Sequence, residues 1–408
     1  MADVYDVVVI GAGAAGIGAG RRLAKAGVSF LIVEARARAG GRAWTAEHGG
    51  HPLDLGAGWL HSADRNVMVA IGESLGFTIN RTEAPWQKQT AAHGMSADEQ
   101  AAFGRAFSQF EARIDLEAEA DGARAASFYL EPDGRWNALI NAVFSYISGA
   151  ALDEIDARDY ARYEDTGRNW RAREGYGALI AACARGLPIW LECEARAIDH
   201  AGASLRIATT RGDIEAKRVI VTVPPWALSQ IVFTPTLQEK IALADSLPLG
   251  AAEKLYFTLA QPEEFPADGH LFARTDAVDT GSYHLRPMGR PLIEVYFGGA
   301  LARGLAEAGS EAMSDFAKQE LAALLGASFP ARLTTLAASA WTRDPWARGS
   351  YSFARPGAAE ARAQLAAPHE GRLFFAGEAT SRARYSTVHG AFETGYDAAE
   401  AALLGLPA

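Results

Sequence analysis

The run Val7-Val-Val-Ile10-Gly11-Ala-Gly13-Ala14-Ala15-Gly16 constrains this chain more than any other feature. An apolar strand ending near Ile10 reads as one buried on both faces. A glycine-rich turn follows at once, then an Ala- and Leu-rich helix over residues 14–26 that Gly27 is placed to stop. Residues 29–33 read as a second strand, with Glu34 at its end. This is a βαβ unit carrying G-x-G-x-x-G, with an acidic residue 23 positions after the first glycine.

The spacing has a mechanical reason. Gly11 permits the tight turn, Gly13 lets a pyrophosphate approach the backbone, and Gly16 lets helix and strand pack closely. The helix start at Ala14 and Ala15 offers free N–H groups and a partial positive charge to phosphates. Glu34 can accept hydrogen bonds from ribose hydroxyls, and its charge repels a 2′-phosphate. The fingerprint alone serves NAD and FAD equally.

The remaining chain supplies at least one further lobe, since 408 residues exceed what one core usually holds. Periodicity predicts short helices over 66–76, mostly helix over 96–185, and an antiparallel meander over 187–224. Further strands are predicted over 250–298, a helix over 310–326, a strand over 373–376 and a final helix over 388–404. The last strand and helix are expected to return to the N-terminal lobe. A net charge of −10 argues against a general nucleic-acid partner. Cys183 and Cys193 are too few for a disulfide framework or a four-cysteine metal site, so no metal is expected. No apolar run approaches the roughly 18 residues that suggest a membrane span, and no secretion signal is read at the start. The expectation is a cytoplasmic protein of unspecified oligomeric state with no membrane partner.

Past the fingerprint, Val33-Glu34-Ala35-Arg36 leads to Gly40-Gly41-Arg42, where a nicotinamide enzyme would usually continue its βαβ array. Four further segments stand out: Asp54-Leu-Gly56-Ala57-Gly58-Trp59-Leu-His61, Gly175-Tyr-Gly177, Arg218-Val-Ile-Val-Thr-Val-Pro-Pro, and Phe375-Ala-Gly377-Glu378-Ala-Thr380 with Thr387-Val388-His-Gly390. In this order they resemble the flavin-containing amine oxidases, the family of monoamine oxidase, polyamine oxidase and the lysine-specific histone demethylase. The motifs are most similar to the polyamine oxidases.

The resemblance implies a mixed α/β fold of two lobes, with a discontinuous Rossmann-like FAD domain at 1–80, 186–230 and 340–408. A mixed α+β substrate domain would take 81–185 and 231–339. It implies FAD contacts at the fingerprint and at Ala35, Arg36, Gly41 and Arg42. Gly56, Ala57, Gly58 and Trp59 would pass the flavin ring, and Ala195 and Trp346 would add contacts. Glu378 would face the ribityl chain beside Gly377, and Thr387 and Val388 would start a helix at the pyrimidine end. Monoamine oxidases attach FAD through a Gly-Cys-Tyr cysteine. The matching segment here is Gly349-Ser350-Tyr351, so noncovalent FAD is expected.

Four residues carry the expected chemistry. Lys254, in a strand pattern where a lysine needs a partner if buried, matches the lysine that holds a water beside flavin N5. Tyr351 matches one tyrosine of the aromatic wall, and Thr387 stands where monoamine oxidase has the second. His61 could meet a substrate amine, its ordinary pKa of ~6.5 being close to working pH. The implied reaction is oxidation of a primary or secondary amine, polyamines included, to an imine that hydrolyses to aldehyde and amine, with O2 becoming H2O2. A flavin amino-acid oxidase, a desaturase, or an amine dehydrogenase with another acceptor would share this framework. A flavin-binding scaffold without turnover is opposed by the intact Lys254, Tyr351 and Gly377-Glu378.

Overall fold

The computed structural model describes residues 4–87 and 93–406. Its organising element is the strand Tyr5–Ile10, whose Val7, Val8 and Val9 are fully buried. It is flanked by parallel neighbours on both sides: Val8 pairs with Val219 of Gly212–Val221 and with Leu31 of Phe30–Val33. The strand Leu373–Phe375 adds in parallel to the far side of Gly212–Val221, and Ile189–Trp190 adds beyond Phe30–Val33. The meander expected from the sequence is present as the antiparallel strands Ala195–Asp199, Leu205–Thr209 and the first half of Gly212–Val221. Together with Val232–Thr234 these make one eight-stranded sheet.

The two ends of the chain meet on this sheet. The helix Ala14–Ala26, stopped by Gly27 in the left-handed conformation (φ 72°), packs against the C-terminal helix Val388–Leu403. The approach is close enough to require glycine. A Cβ on Gly395 would lie 1.9 Å from the Ala15 carbonyl oxygen, and one on Gly18 would lie 2.2 Å from that of Phe392.

The second lobe has a five-stranded antiparallel sheet in the order Gly269–Phe272, Ser282–Leu285, Leu292–Gly298, Ala252–Leu259 and Leu333–Ala338. The helices Gly299–Ala308 and Ser310–Leu325 cover it through Leu305, Met313, Ala317 and Leu321. A separate core around Phe110, Phe144 and Tyr129 holds the helices Ala97–Asp121 and Asn137–Ser148 together. The former begins with a capping box in which Ser96 and Glu99 satisfy each other's backbone N–H.

The structure shifts two expected boundaries. Val232–Thr234 pairs in parallel with Ala195–Asp199, and Phe233, Leu237 and Leu247 join the nucleotide-lobe core, so that lobe runs past residue 230. The helix Tyr176–Cys183 also packs into it through Tyr176, Leu179 and Ile180, before residue 186. The strand expected from residue 187 is broken in two, with Glu192 at φ 53° between the pieces. Both cysteines are free and buried. Among the described residues no helix is long and apolar enough to cross a membrane.

Replacing Gly395 with Val forces the two helices apart. Overpacking of this kind usually costs about 1–3 kcal/mol, so Gly395→Val should lower the unfolding free energy by about that much in urea. Wild-type stability of the variant would show that the close approach is absent.

Candidate active site

A continuous cavity of about 1100 Å³ runs from the glycine-rich turn in the nucleotide lobe to the aromatic helices of the second lobe. At its nucleotide end Gly11 adopts φ 102°, and a Cβ on Gly16 would stand 1.8 Å from the Gly11 carbonyl oxygen. Gly16 therefore packs the turn and does not line the cavity, whereas Gly11, Gly13, Ala14 and Ala15 do. The helix beginning at Ala14 has no side-chain cap, so its first N–H groups remain for a ligand. Glu34 lies buried beside it, accepting hydrogen bonds from the N–H groups of Ala12 (2.7 Å) and Arg36 (2.8 Å). Burial pushes its carboxyl above the ordinary value, against the pull of those two bonds.

The two arginines of this end are committed to carboxylates. Arg36 makes two 2.6 Å bonds to Asp344, which is also held by the N–H groups of Trp346 and Ala347. Arg42 pairs with Glu378 at 2.9 Å. Glu378 also accepts from Ser352 Oγ at 2.7 Å and from the Ser386 N–H at 3.0 Å. Burial opposes its charge, but Arg42, Ser352 and Arg362 outweigh it and hold the carboxyl below the usual range. Ala35, Gly41, Gly56, Ala57, Ala195, Trp346, Gly377 and Val388 all line the same cavity. At Gly377 (φ 145°) a Cβ would meet no protein atom, so the backbone there faces open space.

At the middle of the cavity lies Lys254, 5% exposed and satisfied. Its Nζ donates to the Asp54 carbonyl at 3.0 Å and pairs with Glu294 Oε1 at 3.0 Å. Glu294 also accepts from the Tyr256 hydroxyl at 2.9 Å and from Arg171 at 2.7 Å. Burial opposes ionisation of Glu294, yet Arg171 and Lys254 hold it well below the ordinary carboxylate value. Arg171 in turn lies over the Trp59 ring at 4.8 Å, and His284 stacks on that ring at 6.1 Å. Gly58 leaves room here: a Cβ would sit 3.1 Å from Lys254 Nζ and 3.3 Å from Arg171, so those side chains would have to shift slightly.

Three tyrosines form the wall beyond. Tyr351 donates its hydroxyl to the Tyr146 carbonyl and lies 3.1 Å from the hydroxyl of Tyr296. Burial raises the pKa of all three hydroxyls, so they stay protonated. The Thr387 hydroxyl accepts from the Gly390 N–H (3.0 Å) and donates to the Arg384 carbonyl (2.7 Å). It borders the cavity as a helix cap, with its proton committed to Arg384 and one of its two acceptor sites to Gly390. His61 binds Asn169 Oδ1 through Nδ1 at 2.6 Å, while the Asn169 amide nitrogen donates to Gly167. That orientation leaves Nε2 as the acceptor. Burial lowers the His61 pKa, so the ring is neutral. His389, buried in the C-terminal helix, is pushed down to about 3 by burial.

The whole chain from residue 14 to 403 matches the model of the flavin containing amine oxidoreductases. The chain belongs to this family. Polyamine oxidase 4 of Oryza sativa subsp. japonica is 28% identical over 97% of this chain and 88% of its own length. Lysine-specific histone demethylase 2 of Homo sapiens is 28% identical over 96% of this chain, which spans about half (52%) of that relative. In overall fold the chain superposes on a putrescine oxidase solved with putrescine bound (TM-score 0.79, 19% identity, 98% of this chain and 99% of that one). Cyclohexylamine oxidase from Brevibacterium oxydans IH-35A superposes equally well (TM-score 0.79, 19% identity, 98% and 99%).

The family's flavin fits this cavity: an uncapped helix start, the buried carboxylate of Glu34 and open backbone at Gly377 occur along one continuous space. Sequence reasoning missed Glu294, Arg171, Tyr296 and Tyr146. One signal for Glu294 was present, a lone acid in the apolar strand Leu292–Gly298. Sheet register places Lys254 opposite Tyr296 and Glu294 opposite Tyr256, a diagonal that no sequence spacing reveals. It also missed one face of the helix Ala97–Asp121, where Gln100, Phe103, Phe107 and Glu111 line the cavity at helical spacing.

Glu294→Gln would leave Lys254 and Arg171 buried with no carboxylate between them. Breaking such a pair usually costs about 3–5 kcal/mol, and the variant should lose about that at neutral pH. The folded pKa of Glu294 is depressed, so its stabilisation is complete above the unfolded value near 4.5 and is lost as pH falls toward the folded pKa. Stability measured by denaturation from pH 6 to 3 should therefore fall less steeply in Glu294→Gln than in the wild type.

Proposed function

We propose that the chain is an FAD-dependent amine oxidase taking a primary or secondary amine with a second cationic group, polyamines included, and using O2 as acceptor. The observation that carries this is the second-lobe half of the cavity, which is aromatic and acidic at once. Phe103, Phe107, Tyr146 and Phe272 line it, together with Glu111 and Asp165. Glu111 accepts from the Tyr160 hydroxyl at 3.0 Å, and burial raises its carboxyl above the ordinary value. A cationic amine would compensate it. Among the described residues, the cavity's arginines are Arg36, Arg42 and Arg348. The first two hold Asp344 and Glu378, and Arg348 lies over Trp226; none of the three comes from the helices and strands that carry Phe103, Phe107, Glu111 and Phe272. This favours an amine over an amino acid.

When bound, FAD accepts the hydride equivalent from the carbon next to nitrogen and passes electrons to oxygen. The chain's own residues prepare that event. The tyrosine and phenylalanine wall excludes water and favours the neutral amine by desolvation. Neutral His61, with its lone pair at Nε2, offers a hydrogen-bond acceptor to the N–H of an incoming amine. Lys254 presents a fixed positive charge, set by Glu294 and the Asp54 carbonyl, at the place where oxygen would be reduced. Ser350 at the position of the attaching cysteine supports noncovalent FAD; its Oγ donates to the Gly250 carbonyl at 3.0 Å. Cys193 does line the cavity, but beside Glu34 at the nucleotide end, where its N–H donates to the Glu34 carbonyl. A cytoplasmic setting suits the free thiols.

An anaerobic panel of diamines, polyamines, monoamines and amino acids tests the reading. Flavin bleaching should be fastest with diamines or polyamines, and air should restore the colour with H2O2 released. Bleaching by amino acids alone, or colour that air fails to restore, would replace the reading with an amino-acid oxidase or a dehydrogenase. Acid precipitation should release yellow FAD into the supernatant; a yellow pellet would mean a covalent link.

Lys254→Met should slow reoxidation by oxygen by about 10²-fold, the usual effect of removing one preorganised charge. Anaerobic reduction by amine should fall less. Stopped-flow traces of the two half-reactions decide it, and an unchanged reoxidation rate would take Lys254 out of oxygen reduction.

A further inference from the structure

We propose that His200, His369 and Glu370 form a binding site for a divalent transition-metal ion of the zinc type, separate from the flavin cavity. One nitrogen from each imidazole and one carboxylate oxygen lie within 4.8 Å of one another. His200 directly follows the strand Ala195–Asp199, and His369 and Glu370 lead into Leu373–Phe375, at the opposite end of that strand from Glu378. None of the three lines the cavity.

His200 has the environment of a metal ligand. It is 2% exposed, and its Nε2 donates to the Pro235 carbonyl at 2.8 Å. That bond sets the tautomer and turns the lone pair to Nδ1, as a backbone carbonyl commonly does behind a ligating imidazole. Nδ1 is buried and has no hydrogen-bond partner. The group facing it is a carboxylate, Glu370 Oε2 at 3.9 Å, which has no proton to give. A lone pair opposed to a carboxylate, beyond hydrogen-bond length, is an arrangement that a cation between them resolves.

The other two donors can adjust. His369 Nε2 lies 3.8 Å from Glu370 Oε1, and its ring stands perpendicular to that of His200 at 5.3 Å. The side chains of His369 and Glu370 are 34% and 54% exposed, so both can swing inward. Tetrahedral zinc with bonds of about 2.0–2.1 Å needs donors roughly 3.3 Å apart, a contraction these two can supply around the fixed His200. Arg372 donates to Glu370 Oε2 at 2.9 Å and to the carbonyls of His200 (2.7 Å) and Gly202 (2.6 Å). It orients the carboxylate, and its charge makes the site weaker than the same three ligands alone. Two imidazoles and one carboxylate suit zinc or cobalt, with water in the fourth position. A bound ion would tie the segment after one strand to the turn before another.

The test uses the flavin-loaded enzyme stripped with EDTA, titrated with Zn2+ by calorimetry and with Co2+ by visible absorption. The expected result is one ion per chain, the strong ligand-field bands of tetrahedral Co2+, and a Tm that rises with Zn2+. His369→Ala and Glu370→Gln, both at partly exposed positions, should bind at least tenfold more weakly while keeping the flavin spectrum. Absence of heat and of Co2+ bands would overturn the site. So would wild-type affinity in both variants, which would put the ion elsewhere, or a His200 Nδ1 found by NMR to carry a proton at saturating Zn2+.

Discussion

The cavity depends on one carboxylate. Glu294 sits in the interior between Lys254 and Arg171, with the Tyr256 hydroxyl on its remaining side. Without it, two cations would be buried against aromatic rings with no carboxylate to offset their desolvation. With it, the excess of positive over negative charge in the cluster stays fixed in place. Arg171 then braces Trp59, Lys254 reaches the Asp54 carbonyl, and Gly58 gives them room. The interior position of Ala252–Leu259, paired on both sides in its sheet, explains why adjacent residues of opposite charge are both buried. Glu253 points to the other face and accepts from Ser339, Trp341 and Thr342.

A second buried polar chain joins the lobes. Glu378 binds Ser352, Ser352 binds Arg362, and Arg362 makes a forked contact with Asp159 in the helix Ala157–Ala161. Arg362 is fully buried and lies 3.7 Å from the Tyr385 ring centroid. Every member has its partner, which is the condition under which such a network rigidifies rather than weakens a core. The glutamate at the cavity is thereby fixed by residues from both lobes, before any ligand arrives.

The aromatic wall is assembled differently. Tyr351 comes from a loop, Tyr296 from a strand and Tyr146 from a helix, and a hydroxyl–hydroxyl and hydroxyl–carbonyl relay sets their relative positions. Thr387 belongs to the helix start instead, where its side chain closes the first turn. Two residues bordering one cavity thus differ in what holds them, one fixed by tertiary contacts and the other by its own backbone.

The sequence by itself determined the nucleotide lobe. Strand, glycine turn, helix and Glu34 are local in sequence, and each follows from sterics and backbone hydrogen bonding within about thirty residues. Ordered motifs likewise disclosed the family and most residues along the cavity, Lys254 and Tyr351 among them. Tertiary structure decided what those residues touch. The diagonal from Lys254 to Glu294 depends on strand register, and the Arg171 contact brings together residues 123 positions apart. The lobe boundary at Val232–Thr234 arose because a three-residue strand completes a sheet edge, too short to leave a periodic signal. The commitment of Thr387 to its cap and the open lone pair of His200 were decided the same way. Hydrogen-bond partners are chosen by distance in space, and a linear pattern carries that information only when the partners are near neighbours along the chain.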